Sequence, residues 1–556
     1  VWALQERGRR SLTRQVILLV LTALAPLILF RGWLFLTDPI TDRPPNPYGF
    51  FVFTASLTSV FLPVVSPLRE AWQNVLHTDE AVWEGYSYVG IMGVLAALLT
   101  LLRVVQRLRR KQWRRVLRPV LPPPLRTAVW AAILLLLLAM AFPFRLPGGE
   151  RLLDFLGPLK QFRSLGRFAW VFYYVFTLYA AYYFYRLYRY LGHHRAAGFG
   201  RTLLALLMLA WAGEALLTIS TKARQIRGHE SVHDFISEGG NYREKLSGAG
   251  HYAEDYQAIL ALPFWSTGTD KLDIVNSEIA RFESYKASLN MGVPLLNSYM
   301  TRTSITQALR HFQLLGSDLI PKQLVNELPS KKPVLLLVTH EYLQPYEQRL
   351  VDKSRKLYED SYVKLYELSM DSLASTSYRK QIASFATRRA QLVPGPDSTF
   401  RTTAKGIMLQ TFADQPAPQS FLRPGAFTWP DGFAQLYRGP LPAPADTGMY
   451  EVSVWVSART PYGLGNMQVK QYDQAGQMVD HQVYDSKRST EIYGDWVRAV
   501  LPFRVRDASN SVEVLYENKD LIADELLIRP KDPDVYYFTK LKGKRQLTLN
   551  NYPLGN

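Results

Sequence analysis

Apolar residues follow two different patterns along the chain, and the change falls near residue 220. Before it, five runs are apolar on every face: 15–37, 86–106, 127–146, 167–187 and 202–220. Each is close to the ~20 residues that cross a bilayer core. After it, short apolar runs alternate with amphipathic stretches, as in a globular region facing water. Segments 257–262 (QAILAL), 293–296 and 334–338 (VLLLV) read as strands buried on both faces. Segments 277–288 and 304–315 carry helical spacing, and 346–358 is polar enough for a solvent-facing helix. From about Phe400 the pattern becomes all-β, with strands predicted at 450–456, 467–472, 496–505 and 511–516. Turn signals at Pro461-Tyr462-Gly463 and at 507–510 separate them. The predicted layout is a transmembrane helical bundle of about five spans over 1–220 and an α/β domain over 221–395. A jelly-roll-like β-sandwich over 396–535 and a C-terminal tail over 536–556 follow.

Charge gives the layout a direction. Residues 1–220 hold 25 Lys and Arg against 10 acids, whereas 221–556 hold 40 against 37. A nucleic-acid binder concentrates basic residues on a folded soluble surface. Here they flank apolar runs, so the net charge of +18 reports topology and excludes a nucleic-acid partner. Arg7, Arg9, Arg10 and Arg14 precede the first run. Arg103, Arg107, Arg109, Arg110, Lys111, Arg114, Arg115 and Arg118 follow the second, and Arg186, Arg189, Arg195 and Arg201 follow the fourth. The positive-inside rule puts all three groups in the cytoplasm, so an odd number of spans leaves 221 onward outside. The chain has no cysteine, so an exported region relies on core burial rather than disulfides. It begins at Val1 rather than Met, as a fragment or processed chain would.

The outer loops carry the candidate chemistry. Residues 38–85 are acidic, with Asp38, Asp42 and Glu84 among them, while 143–167 holds Arg145, Arg151, Lys160, Arg163 and Arg167. Basic residues on the outer side run against the topology bias. One reading is a site for a lipid phosphate, which suits the planar fork of Arg. The other is snorkelling of long side chains to headgroups at a helix end. Glu214 lies inside the fifth run and reads either as a mechanistic acid or as a buried structural partner.

His229-Glu230-Ser231-Val232-His233 matches the H-E-x-x-H zinc-protease pattern. Its surroundings are basic and polar, Asp234 follows directly, and no third ligand is signalled. A membrane-anchored metalloprotease is therefore a remote alternative, and no metal ligands are assigned. In the β region, 522–528 (IADELLI) resembles the last strand of jelly-roll carbohydrate-binding modules. Trp429, Trp455 and Trp496 read either as a stacking surface for sugar, with Trp429 and Trp496 foremost, or as core.

Tyr86-Ser87-Tyr88-Val89-Gly90-Ile91 opens the second run, and the stretch from Leu156-Gly157-Pro158 to Arg167-Phe168 leads into the fourth. With Ala258-Ile259-Leu260-Ala261-Leu262-Pro263-Phe264 after the last run, the chain resembles the C-terminal portion of bacterial YfhO-like, GT-C-type membrane glycosyltransferases. The resemblance covers roughly residues 15–370. It implies an inner-membrane protein that transfers a sugar from a polyprenyl-phosphate donor to an envelope glycan or protein acceptor outside the cytoplasm. It also implies an outer-loop acid acting as base or as ligand to a divalent cation. Asp38, Asp42 and Glu84 are the candidate acids, and Lys160, Arg163 and Arg167 the candidate ligands of the donor phosphate. The competing reading is a non-catalytic membrane-anchored protein that displays glycan- or protein-binding domains.

Overall fold

The computed structural model describes all residues except 1–8, 46–47, 66–67, 78–80, 118, 194–195, 229–240, 270, 276, 301–302, 375–376, 396–397, 542–543 and 556. The chain divides into two units. One comprises Val1–Pro39 and Pro45–Val232, the other Ile40–Pro44 and His233–Asn556.

In the first unit, the Leu- and Ala-rich runs form helices, as their propensities favour. These are α1 (Arg9–Thr37), α2 (Gly90–Arg109), α3 (Trp113–Leu117), α4 (Pro123–Ala139), α5 (Ala169–His193) and α6 (Ala197–Arg227). Among the described residues, three helices are long and apolar enough to cross a membrane: Val16–Thr37 within α1, α2 and α6. The run predicted over 127–146 stops at Ala139, because Ala141 turns left-handed at φ 57° and Pro143 has no N–H to continue the helix. The core lies along one face of α5, where Phe172, Phe176, Tyr179 and Tyr183 pack against Ala96 of α2, Ala132 and Leu136 of α4, and Leu207 of α6.

The loops at one end of these helices are joined by main-chain bonds. Ala55 N–H donates to the Ala139 carbonyl, Ser87 and Val89 donate to Ser59 and Val60, and Gly166 donates to Phe53.

The second unit contains a four-stranded mixed sheet of β1 (Ala258–Leu262), β2 (Val334–Thr339), β3 (Arg355–Glu359) and β4 (Val363–Leu368), in the order β1-β2-β4-β3. The β1–β2 pair is parallel, and both strands are buried throughout, as their unbroken apolar runs require. Helices α7 (Glu278–Met291), α8 (Ile305–Gln313) and α9 (Pro345–Asp352) accompany it. Two predicted elements change. Segment 293–296 makes one bridge, Leu295 to Ile259, because Pro294 cannot donate to a ladder. The helix predicted over 346–358 ends at Asp352, and its last residues belong to β3.

The β region is a sandwich of two antiparallel sheets. Its strands are β5 (Met408–Gln410), β6 (Phe427–Trp429), β7 (Phe433–Pro440), β8 (Gly448–Ser457), β9 (Asn466–Tyr472), β10 (Met478–Asp485), β11 (Ile492–Tyr493), β12 (Trp496–Val505), β13 (Ser511–Glu517) and β14 (Leu521–Pro530). One sheet runs β5-β14-β8-β12-β11, with β6 also on β14; the other runs β7-β13-β9-β10. Val452, Val454, Leu501 and Phe503 meet Ala434, Leu436, Val469 and Val514 in the core between them.

The segment predicted as a tail forms β15 (Val535–Leu541), β16 (Lys544–Leu549) and β17 (Tyr552–Leu554), which join a third sheet. Asn550, Asn551 and Tyr552 cover the outer face of β8 and β12. The Trp455 indole donates to the Asn551 carbonyl at 2.8 Å, and Arg498 donates to the Tyr552 hydroxyl at 2.9 Å.

Candidate functional site

Two loops of the helical unit cross at Gly85 and Gly166, where a Cβ on Gly166 would lie 2.9 Å from the Gly85 Cα. Glycine alone permits that approach. The crossing is locked by Glu84, whose side chain is 8% exposed. Its Oε2 accepts from Arg167 Nε at 2.6 Å and from the Ser164 hydroxyl, and its Oε1 accepts from Arg167 Nη2 at 3.1 Å. Burial pushes the Glu84 carboxyl up, but the Arg167 and Ser164 hydrogen bonds outweigh it and hold it below its ordinary value.

A few residues further along both loops lies a pocket of about 320 Å³. Tyr86, Tyr88, Trp170, Tyr173 and Tyr174 form aromatic walls, and Glu214 and Thr218 of α6 line it as well. The Trp170 indole donates to the Tyr86 carbonyl at 3.0 Å, which fixes the ring plane. Glu214 Oε2 accepts the Ile91 N–H at 2.9 Å, and the Tyr88 ring lines the same pocket. Ile91 stands in the first turn of α2, where N–H groups lack helical acceptors and favour negative charge. A carboxylate from α6 therefore caps α2. Gly90 adopts φ +76°, and a Cβ there would come within 3.2 Å of Glu214 Oε2.

Such a pocket can hold a polyhydroxylated ring, with C–H faces against the aromatics and hydroxyls donating to the carboxylate. Its volume falls at the small end of ligand sites, which span roughly 300–1,000 Å³.

The predicted residues distribute as follows. Asp38 follows the last turn of α1 and is partly buried. Asp42 belongs to the second unit, where its Oδ2 accepts from the Thr306 N–H and hydroxyl at 2.9 and 2.6 Å and from Arg459 at 2.7 Å. Asp42 and Glu84 thus belong to different units, and both are engaged in internal hydrogen bonds. Lys160 pairs with Asp154 at 2.9 Å, Arg163 donates to the Tyr48 carbonyl at 3.3 Å, and Arg167 is committed to Glu84. Glu214 was visible in the sequence as an acid inside an apolar run; its aromatic neighbours, from Tyr174 back to Tyr86, stand 40 to 128 positions away and carried no local signal.

The His229, Glu230 and His233 motif lies outside the described residues. Among the described residues, no group of three or more His, Cys, Asp and Glu is placed to hold a metal ion.

In the sandwich, the two candidate tryptophans separate. Trp429 is 41% exposed and lines an open cleft of about 490 Å³ with Gln419, Thr460 and Asp520. Trp496, expected on a sugar surface, is instead core, packed with Phe421 and Trp455 beneath the C-terminal strands. It has no face left for a ligand.

Residues 1–212 match a family described as a domain of unknown function (DUF6311). No curated protein matches the chain. Among solved structures, the infectious bursal disease virus VP2 subviral particle is similar at 13% identity and TM-score 0.17, covering 25% of this chain and 33% of that one. The CBM35 from Cellvibrio japonicus Abf62 is similar at 10% identity and TM-score 0.16, covering 24% and 94%. The carbohydrate-binding module CBM6cm-2 from Cellvibrio mixtus lichenase 5A, in complex with cellotriose, is similar at 10% identity and TM-score 0.15, covering 23% and 98%. This chain spans about a third of the length of the viral protein. At these scores the likeness assigns neither a fold nor a ligand.

Proposed function

We propose that the helical unit is the membrane-embedded part of a GT-C-like glycosyltransferase of the bacterial inner membrane, with five spans. It moves a sugar from a polyprenyl-phosphate donor to an envelope acceptor outside the cytoplasm. The observation that carries this reading is the aromatic pocket with Glu214 on its wall. Trp170, Tyr173 and Tyr174 stack the sugar, and Glu214 takes the proton of the acceptor hydroxyl as its oxygen attacks the anomeric carbon. The bond to phosphate breaks, and polyprenyl phosphate leaves with the negative charge. Lys160 and Arg163 receive that charge, since the exposed pair of Lys160 with Asp154 is weak and exchanges cheaply for phosphate. Arg167 and Glu84 hold the two loops in register, a positioning role in place of the direct roles expected from sequence. Binding of a lipid-linked sugar by the reconstituted chain, and its loss in Trp170→Ala, tests this reading.

A second reading is favoured by the exposed indole of Trp429. In it, the chain displays a glycan-binding sandwich on a membrane anchor and catalyses nothing. Glycan binding that depends on Trp429, without donor binding by the helical unit, would select it.

A further inference from the structure

No acidic residue occurs between Glu84 and Glu150, and the eight basic residues from Arg103 to Arg118 lie in that interval. The fold gathers part of them on one small platform. Helix α2 ends as Lys111 turns left-handed at φ 56°, with the Gln112 N–H bonded to the Arg107 carbonyl at 2.8 Å. The short helix α3 is then tied back. Arg107 Nη1 donates to the Arg115 carbonyl at 3.0 Å, and Arg115 Nη1 donates to Gln112 Oε1 at 3.2 Å. Beyond α3, Arg186 of α5 donates to the Val120 carbonyl at 2.7 Å.

This tied segment presents Trp113, Leu117 and Val120 at 59%, 62% and 72% exposure. Arg109, Arg110, Lys111, Arg114 and Arg115 are exposed beside them. None of these five has an acidic partner among the described residues. Such a surface holds unneutralised cations and uncovered apolar side chains together, at the end of helices long and apolar enough to cross a membrane.

We infer that this platform is a docking surface for anionic phospholipid in the leaflet it meets. Arg109, Arg110, Lys111 and Arg114 bind headgroup phosphates, while Trp113, Leu117 and Val120 enter the boundary between headgroups and acyl chains. Arg supplies the planar donors that phosphate oxygens accept, and Trp is the side chain that prefers that depth. The inference rests on the membrane reading of the helical unit and is independent of glycosyl transfer, so absence of donor binding leaves it standing.

The test is native mass spectrometry of the full chain, exchanged in detergent against equimolar phosphatidylglycerol and phosphatidylcholine. The wild type is expected to retain phosphatidylglycerol roughly 10-fold over phosphatidylcholine, and 0.5 M salt, where the Debye length falls to about 4 Å, to erase the preference. The variant R109Q/R110Q/K111Q/R114Q is expected to fall to parity, whereas Lys380→Gln, at an exposed position of the second unit, keeps the preference. If the fourfold variant loses monodisperse elution, Trp113→Ala with Leu117→Ala takes its place and is expected to reduce retention of both lipids. Equal retention of both lipids by the wild type overturns the inference, as does full selectivity in the fourfold variant. Co-purifying RNA released by salt, with no lipid preference, overturns it in favour of a nucleic-acid surface.

Discussion

Asp42 and Arg459 stand 417 positions apart in sequence and meet as an ion pair of 2.7 Å. Arg459 also donates to the Thr306 hydroxyl and to Asp495, both at 2.7 Å, so one guanidinium ties the segment after α1 to α8 and to the sandwich. Burial raises the Asp42 carboxyl, but the bonds from Thr306 and Arg459 outweigh it and hold it well below the usual carboxylate range. The expected cost of Asp42→Ala is about 1–3 kcal/mol, mostly from donors left without an acceptor. A depressed carboxylate stabilises the fold above its unfolded value and loses that contribution as pH falls toward the folded one. The melting difference between wild type and Asp42→Ala should therefore shrink on acidification below about pH 4. A constant difference from pH 7 to pH 2 would remove Asp42 from this role.

Glu84 and Arg167 offer a test of positioning. Arg167→Ala leaves a buried carboxylate unpaired, and about 2 kcal/mol of stability should be lost after allowing for the exposure of Arg167. Glu84→Gln in the same chain should recover part of that loss, because the amide needs no counter-charge. A double-mutant cycle by thermal melting reads the coupling directly. Additive losses would mean that the two side chains do not act as a pair.

The two tryptophans of the sandwich should part company in stability. Trp496→Ala opens a cavity in a packed cluster and should cost about 3–5 kcal/mol. Trp429→Ala touches an open cleft and should stay within about 1 kcal/mol. Chemical denaturation of the two variants decides it, and equal losses would contradict the placement of Trp429 at the surface.

Why the sequence could not separate these residues is physical. Trp496-Val497-Arg498-Ala499 shows no clean alternation, since both faces of β12 are covered. The outer cover comes from the last strands, whose sparse polar pattern reads as a tail. The helices of the first unit were legible because uninterrupted apolar runs impose one backbone solution. Glu214 was legible as an anomaly, an acid in such a run, but its acceptor role toward Ile91 joins positions 123 residues apart. Asp42 and Glu84 looked alike in a single acidic loop, and only long-range partners distinguish one from the other.

Glu525 gives a pH signature of opposite sign. Burial pushes its carboxyl up to about 8 despite the Arg423 guanidinium at 3.4 Å, and burial pushes neighbouring Asp524 up to about 6. A raised carboxylate contributes stability below its unfolded value, about 4.3, and loses it as pH climbs through the folded one. Glu525→Gln should therefore melt with the wild type near pH 4 and above it beyond pH 8. A wild type that stays the more stable at high pH would show that Glu525 is ionised and well paired in the fold.

The most direct test of the aromatic pocket is equilibrium binding of a radiolabelled polyprenyl-phosphate-linked hexose to the full chain in nanodiscs. Saturable binding is expected, displaced by unlabelled donor and weakened at least ~10-fold, about 1.4 kcal/mol, by Trp170→Ala and by Glu214→Gln. Trp429→Ala should leave it unchanged. Binding that fails to saturate, or that is equal in all four proteins, would contradict a donor site between α5, α6 and the loop that leads into α2.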